Sequence, residues 1–251
     1  MKRKEVIASP TTLPIYMQGE PLAAGPLPAF FYFALSAEES LYQEPYNQPI
    51  LFLEKFPIRC YSFTLPFHGQ GYDSNQALAL WMQEFATHPH SFSHFLQSCI
   101  KNIEYLIQQG FVDEERIAVG GLSRGAFIAT HLAAREPRLK YVLGFAPMTK
   151  LSSLEKTNHL EKEWDLHGLI YQLVNKQFRF YIGNRDNRVG TYACFDFIHQ
   201  LAEAAYQQGH RSPAIELIIS ASIGYKGHGT LPPIFKEGAE WVKHKLIQQK
   251  F

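Results

Sequence analysis

Apolar residues in this chain fall into two alternating arrangements. Short apolar-rich runs of strand length recur at residues 29–35 (AFFYFAL), 59–67, 117–120, 140–145, 178–182 and 215–219, and the first is continuous, as in strands buried on both faces of a parallel sheet. Between them lie stretches with an apolar residue every three or four positions. The clearest is Phe92, Phe95, Leu96, Cys99, Ile100, Ile103, Leu106 and Ile107, one face of a helix that Ser91 can cap and Gly110 can stop. The spacing predicts further helices from Ser74 to about Phe85, from Pro49 through Phe56, from Ala126 onward, over 192–208 before Gly209, and from Pro232-Pro233 to about Gln249. Residues 5–9 and 12–18 read as two short antiparallel strands at one edge, and 36–40 as a polar loop. Residues 148–177 hold no strand pattern and read as one or two helices, a small cap insert over the sheet's upper edge. Strands alternating with helices give parallel βαβ units. The expected fold is α/β, with a mostly parallel central sheet of about eight strands, helices on both faces and a single domain over 1–251.

Composition adds little to that picture but excludes several classes. A chain of 251 residues can bury a sizeable core, and 46% hydrophobic with 19% charged residues is ordinary for a globular domain. The net charge is +1 with both signs interspersed, so no basic stripe suggests nucleic acid. Cys60, Cys99 and Cys194 lie far apart, which argues against a disulfide framework and fits a reducing, cytoplasmic setting. Met1-Lys2-Arg3-Lys4 mimics the basic start of a secretory signal, but the first strongly apolar run begins only at Ala29, so a strand is expected there and not a signal core. No apolar run reaches 18 residues, so no membrane span is expected. His88, His90 and His94 lack a carboxylate or cysteine to complete a metal site and read as a solvated loop and helix start; neither a metal nor a cofactor is implied.

One stretch carries candidate chemistry. Residues 116–130 read RIAVGGLSRGAFIAT: a buried strand, a tight turn with Ser123 at its apex, then an apolar helix. Strand, Gly121-x-Ser123-x-Gly125 and helix make the pattern of a nucleophile elbow. A hydroxyl attacks a carbonyl only if it stands clear of the neighbouring backbone, and a sharp turn achieves that where glycines remove the side chains that would collide. The same pattern arises by chance in glycine-rich turns, so its weight depends on partners downstream. Asp186 follows the strand at 178–182, and His228, set between Gly227 and Gly229, follows the strand at 215–219. Ligands of parallel sheets bind beyond such strand ends. His228 is the expected base for Ser123, and Asp186 the group that fixes its tautomer. Asp196 and Glu216 fall inside predicted elements, and His210 lies at the wrong end of its strand. Because 74–109 reads as wholly helical, 29–35 is the third strand, and the loop after it supplies Leu35 or Ser36 as a second oxyanion donor beside the Arg124 N–H.

Residues 112–123, VDEERIAVGGLS, resemble the D-x-x-R-I-(A/G)-x-x-G-x-S lead-in of the prolyl-oligopeptidase-like and dienelactone-hydrolase-like branches of the α/β-hydrolase superfamily. Asp186-Asn187-Arg188-Val189 is similar to their D-x-x-V. The resemblance runs along nearly the whole chain. It implies an α/β-hydrolase fold and a serine hydrolase working through an acyl-enzyme on a small-molecule acyl substrate. It points to an ester hydrolase more than a peptidase, since no N-terminal propeller is seen. The chain departs from the pattern at Ala126, where a third glycine is common, and at Leu35-Ser36, where a His-Gly pair is usual. Peptide hydrolysis, acyl transfer to an acceptor other than water, and ligand binding without turnover stay open as alternatives, as do chain-length preference and oligomeric state.

Overall fold

The computed structural model describes residues 3–73, 75–151 and 164–247. The strands are β1 (Arg3–Ile7), β2 (Ile15–Gly19), β3 (Leu27–Phe33), β4 (Arg59–Ser62), β5 (Val112–Leu122), β6 (Tyr141–Phe145), β7 (Gln177–Gly183) and β8 (Ile215–Ser220). They form one sheet in the order β1-β2-β4-β3-β5-β6-β7-β8. The pairs β1–β2 and β2–β4 are antiparallel, whereas β3–β4, β6–β7 and β7–β8 are parallel. The expected eight-stranded, mostly parallel α/β sheet is therefore present. The chain divides into two compact units, Met1–Ala118 with Ala239–Phe251, and Val119–Gly238.

In the first unit β3 is buried along its length from Pro28, with Phe30, Phe31, Tyr32 and Phe33 fully enclosed. This explains its unbroken apolar run: a strand covered on both faces has no polar side to show. The apolar stripe read from the sequence is the inner face of α4 (Ser91–Gln108), which buries Phe92, Leu96, Cys99, Ile103 and Leu106. Three local expectations need correction. Residues 36–40 are not a loop but the start of α1 (Ala37–Tyr42), where Ser36 and Glu39 form a capping box that satisfies two orphan N–H groups. Ser91 does not cap α4; it lies inside the helix, and the capping position is His90, without a side-chain bond. The extended run at 59–67 is strand only through Ser62. The cap expected at Ser74 lies outside the described residues; α3 (Ala77–Thr87) begins after Gln76 with no side-chain cap. The short helix α2 is Gln48–Leu53, with its proline in the first turn as expected.

In the second unit β6, β7 and β8 carry α5 (Arg124–Arg135), α6 (Ile170–Leu173), α7 (Thr191–Gln207) and the start of α8 (Pro232–Ile247). Every residue of α5 from Arg124 to Ala133 is buried, which accounts for its lack of a polar face. Aromatic side chains hold the strands to their cover: Phe145 stacks on Tyr181 at 5.5 Å and meets Phe235 edge-on at 4.7 Å, while Phe180 stacks on Phe197 of α7 at 6.2 Å. The insert expected at 148–177 falls in part on residues 152–163, outside the described residues. Beside them, the Leu151 N–H donates to Asp165 Oδ1 (2.6 Å) and the Leu166 N–H to the Thr149 carbonyl (3.0 Å).

His131 ties this junction to α5. Its Nε2 donates to the Trp164 carbonyl (2.9 Å), and Nδ1 accepts from Arg135 Nη1 (3.0 Å), which fixes the neutral Nε2–H tautomer. Burial, helped by the Arg135 charge and only partly opposed by the Trp164 carbonyl, lowers its pKa from 6.5 to about 3. The unfolded chain binds this proton below pH 6.5 and the folded chain does not, so stability falls as pH drops from 6.5 towards 3. Urea unfolding at pH 4 should show a loss of about 3 kcal/mol from this group relative to pH 7. A His131→Gln variant should lack that share of the pH dependence.

Candidate active site

Ser123 sits between β5 and α5 with φ 56° and ψ −116°, a left-handed backbone that costs a non-glycine residue about 1–3 kcal/mol. Backbone hydrogen bonds hold it there, among them one from the Phe127 N–H to its carbonyl (3.3 Å). Its N–H donates to the Phe145 carbonyl (2.8 Å), and its own carbonyl accepts from Ala126 (3.1 Å) and from Met148 (3.2 Å). The turn closes so tightly that a Cβ on Gly121 would overlap the Gly125 carbonyl carbon and stand 2.5 Å from the Ala126 nitrogen. Backbone atoms cannot yield as a flexible side chain would. Gly121→Ala should therefore cost at least about 3 kcal/mol, seen as a fall in Tm of roughly 6–12 °C.

Asp186 and His228 reach Ser123 on two loops stitched to each other. The Asn184 N–H donates to the Ser220 carbonyl (2.7 Å) and the Asn187 N–H to the Lys226 carbonyl (2.9 Å). The Arg185 N–H donates to Ser222 Oγ (2.7 Å), and the Ser222 N–H to Asn184 Oδ1 (3.1 Å). Gly227, with φ 76°, lets the loops approach: a Cβ there would overlap the Arg185 carbonyl oxygen. The turn-like Asn184-Arg185-Asp186-Asn187 sequence and the buried carboxylate are two aspects of one arrangement. Asp186 Oδ1 accepts from the N–H groups of Arg188 (2.9 Å) and Val189 (3.0 Å), which leaves Oδ2 for the imidazole.

The three side chains form a continuous hydrogen-bonded chain. His228 Nδ1 lies 2.7 Å from Asp186 Oδ2, and Nε2 lies 2.9 Å from Ser123 Oγ. A carboxylate only accepts, so Nδ1 carries the proton, and the bare Nε2 is left to accept from the Ser123 hydroxyl. The Asp186 side chain is fully buried and that of His228 is 9% exposed. Burial alone would raise the Asp186 pKa. The His228 hydrogen bond and charge, with the Val189 and Arg188 N–H groups, outweigh it and hold the carboxyl below its ordinary value. The group is thus an anion, the state needed to steady a positive imidazole.

The rival residues are engaged elsewhere. Asp196 holds Lys150 (3.2 Å) and His167 (3.0 Å), Glu216 pairs with Arg179, and His210 bonds Asn175 Oδ1 (2.8 Å). Arg124 directly follows Ser123 and is the first residue of α5. Of the other two expected donors, the Ser36 N–H is already given to Glu39 Oε2 (3.1 Å) within the capping box. The Leu35 N–H makes only a long contact of 3.3 Å with Ser40 Oγ, which also serves Ala34. The S-x-x-E spacing of Ser36 and Glu39 signals that competition in the sequence, and reading 36–40 as a loop missed it. Among the described residues, no group of three or more His, Cys, Asp or Glu side chains is placed to hold a metal ion.

Comparison with known proteins agrees with this architecture. Residues 92–179 match the prolyl oligopeptidase family. Over 69 residues the chain is 32% identical to acylamino-acid-releasing enzyme 2 from Oryza sativa subsp. japonica, a match taking in 27% of this chain and only 9% of that protein. Among solved structures, TT1662 from Thermus thermophilus superposes with a TM-score of 0.73 at 15% identity, covering 98% of this chain and 99% of that one. A Klebsiella pneumoniae protein assigned as a dienelactone hydrolase gives 0.69 at 15% identity, covering 100% and 99%. The acylaminoacyl peptidase of Pyrococcus horikoshii also gives a TM-score of 0.69, at 14% identity, covering 100% of this chain and 43% of that one. The chain has the α/β-hydrolase fold in the form found in prolyl-oligopeptidase-like and dienelactone-hydrolase-like proteins.

Proposed function

We propose that this protein is a serine hydrolase that cleaves a carboxylic ester through an acyl-enzyme on Ser123. The observation that carries the reading is the unbroken Asp186–His228–Ser123 hydrogen-bond chain at the tip of a strained strand-to-helix turn. His228 Nε2 takes the hydroxyl proton as Ser123 Oγ attacks the acyl carbon, and returns it to the departing alkoxide. Water then repeats the sequence on the acyl-enzyme. Asp186 holds the imidazole in the productive tautomer and stabilises its charged form. The Arg124 N–H, at the positive end of α5, is the proposed first oxyanion donor. Leu35 is preferred over Ser36 for the second, because the Ser36 N–H is spent on Glu39. A small-molecule acyl substrate and a cytoplasmic setting belong to the same proposal; the setting is supported by the small number and wide spacing of Cys60, Cys99 and Cys194, all of them buried.

The match to the prolyl oligopeptidase family favours a second reading, hydrolysis of a peptide or acylated peptide on the same three residues. The chemistry differs in the leaving group: an amine departs only after His228 protonates it, whereas an activated alkoxide needs less help. p-Nitrophenyl esters of two to twelve carbons, assayed beside N-acetyl-alanine p-nitroanilide, separate the two. For an esterase, kcat/KM on the best ester should exceed that on the anilide by at least about 100-fold, or nearly 3 kcal/mol of barrier. Comparable values would favour the peptidase.

A further inference from the structure

One hydroxyl outside the three-residue chain is bonded to the backbone of Asp186. Thr191 is the first residue of α7, and Gly190, with φ 86°, turns the chain just before it. Thr191 Oγ1 accepts from the Asp186 N–H (2.9 Å) and donates to the Gly183 carbonyl (2.6 Å). The Thr191 N–H in turn donates to the Asp186 carbonyl (3.3 Å). One residue therefore holds both backbone polar groups of Asp186, and its hydroxyl fastens them to Gly183, the last position of β7.

These bonds are not those of a helix cap. The capping position of α7 is Gly190, and both bonds of the Thr191 hydroxyl go to residues that precede the helix. The other ties of the acid loop run elsewhere. Asn184, Arg185 and Asn187 bind it to the end of β8 and to the segment that carries His228, and Oδ1 of Asp186 is held by Arg188 and Val189. We propose that Thr191 is a positioning residue for the hydrolysis: its hydroxyl sets the backbone of Asp186 so that Oδ2 meets His228 Nδ1. The inference rests on the roles proposed for Asp186, His228 and Ser123.

The packing around this tie leaves little freedom. Gly183 and Asp186 are both buried, so removing the hydroxyl strands a donor and an acceptor away from bulk water. Gly183 also lies against the loop of His228: a Cβ there would stand 2.6 Å from Ser222 Oγ and 2.8 Å from the Gly227 carbonyl oxygen. A shift at the Thr191–Gly183 bond is therefore felt by the carboxylate and by the loop of its partner. Misplacing a catalytic group by about 1 Å can cost on the order of 100-fold in rate. A serine keeps the proton and lone pairs that both bonds need, whereas valine and alanine have neither.

The test compares Thr191→Ser, Thr191→Val and Thr191→Ala at a temperature where circular dichroism shows them folded. Proton NMR reads the far-downfield resonance of His228 Nδ1–H, identified by its absence from His228→Ala, and p-nitrophenyl acetate gives kcat and KM. Thr191→Ser should keep the resonance, with kcat within about threefold of the wild type. Thr191→Val and Thr191→Ala should lose or shift it and lower kcat by about 10–100-fold, with KM within about twofold. A resonance unmoved in both hydroxyl-free variants overturns the proposal. So does a serine variant that behaves like valine, or a rise in KM at constant kcat. Failure of both hydroxyl-free variants to fold overturns it too, since Thr191 is then a general structural tie. The resonance is read without turnover, so an inactive wild type would count against the proposed hydrolysis and leave the placement of Asp186 to be decided on its own.

Discussion

Ser123→Ala is expected to lower kcat on p-nitrophenyl acetate by on the order of 10⁶-fold while leaving Tm within about 2 °C of the wild type. The argument is one of mechanism and of packing. Without Oγ there is no acyl-enzyme, and the background left to the site is attack by water assisted by whatever oxyanion donors remain. The fold loses little, because the contacts that hold residue 123 in its left-handed conformation come from its backbone: the N–H to Phe145, and the carbonyl to Ala126 and Met148. Alanine keeps all of them. The activity loss should therefore appear in an enzyme of unchanged stability, and the pair of measurements separates a chemical role from a structural one. Turnover within tenfold of the wild type would show that the hydroxyl is not the nucleophile.

Asp186→Asn should lower kcat by about 10⁴-fold. The amide keeps the size of the carboxylate, and its oxygen can still accept from Arg188 and Val189 in place of Oδ1. What faces His228 Nδ1 is then an N–H₂, a donor. The imidazole must turn its bare nitrogen towards residue 186 and its proton towards Ser123, the wrong tautomer for a base. The stabilising negative charge is lost as well. Asp186→Asn should thus bind substrate with little change in KM and fail in kcat. A rise in KM at constant kcat would mean that the residue serves binding instead.

The parts of this structure that were legible in the sequence are those fixed by local chemistry. Strands β3 and β6 show as unbroken apolar runs because both of their faces are covered, and β7 shows as one interrupted only at Arg179. The turn at Ser123 shows because no residue but glycine fits at Gly121. Asp186 and His228 were found from their positions just past strands β7 and β8, since the loops at those ends are where side chains can converge. Less visible was whatever depends on competition between neighbours. Ser36 looked like a free loop residue until its capping box with Glu39 was seen to occupy the N–H that might have served an oxyanion. Ser91 looked like a cap, yet α4 takes it in as a helical residue. The end of β4 at Ser62 was likewise hidden, because the residues that follow keep an apolar, extended sequence without ladder bonds. Thr191 was invisible for a different reason: a hydroxyl at a helix start has several partners within reach, and only the fold shows that this one takes Gly183 and Asp186.

A serine-directed fluorophosphonate, mapped by peptide mass spectrometry, tests the proposed activity most directly. The account predicts one adduct per chain, on the peptide carrying Ser123, absent from Ser123→Ala and formed far more slowly by His228→Ala. Ester turnover by a wild-type protein that acquires no adduct at Ser123, or acquires it elsewhere, would contradict it.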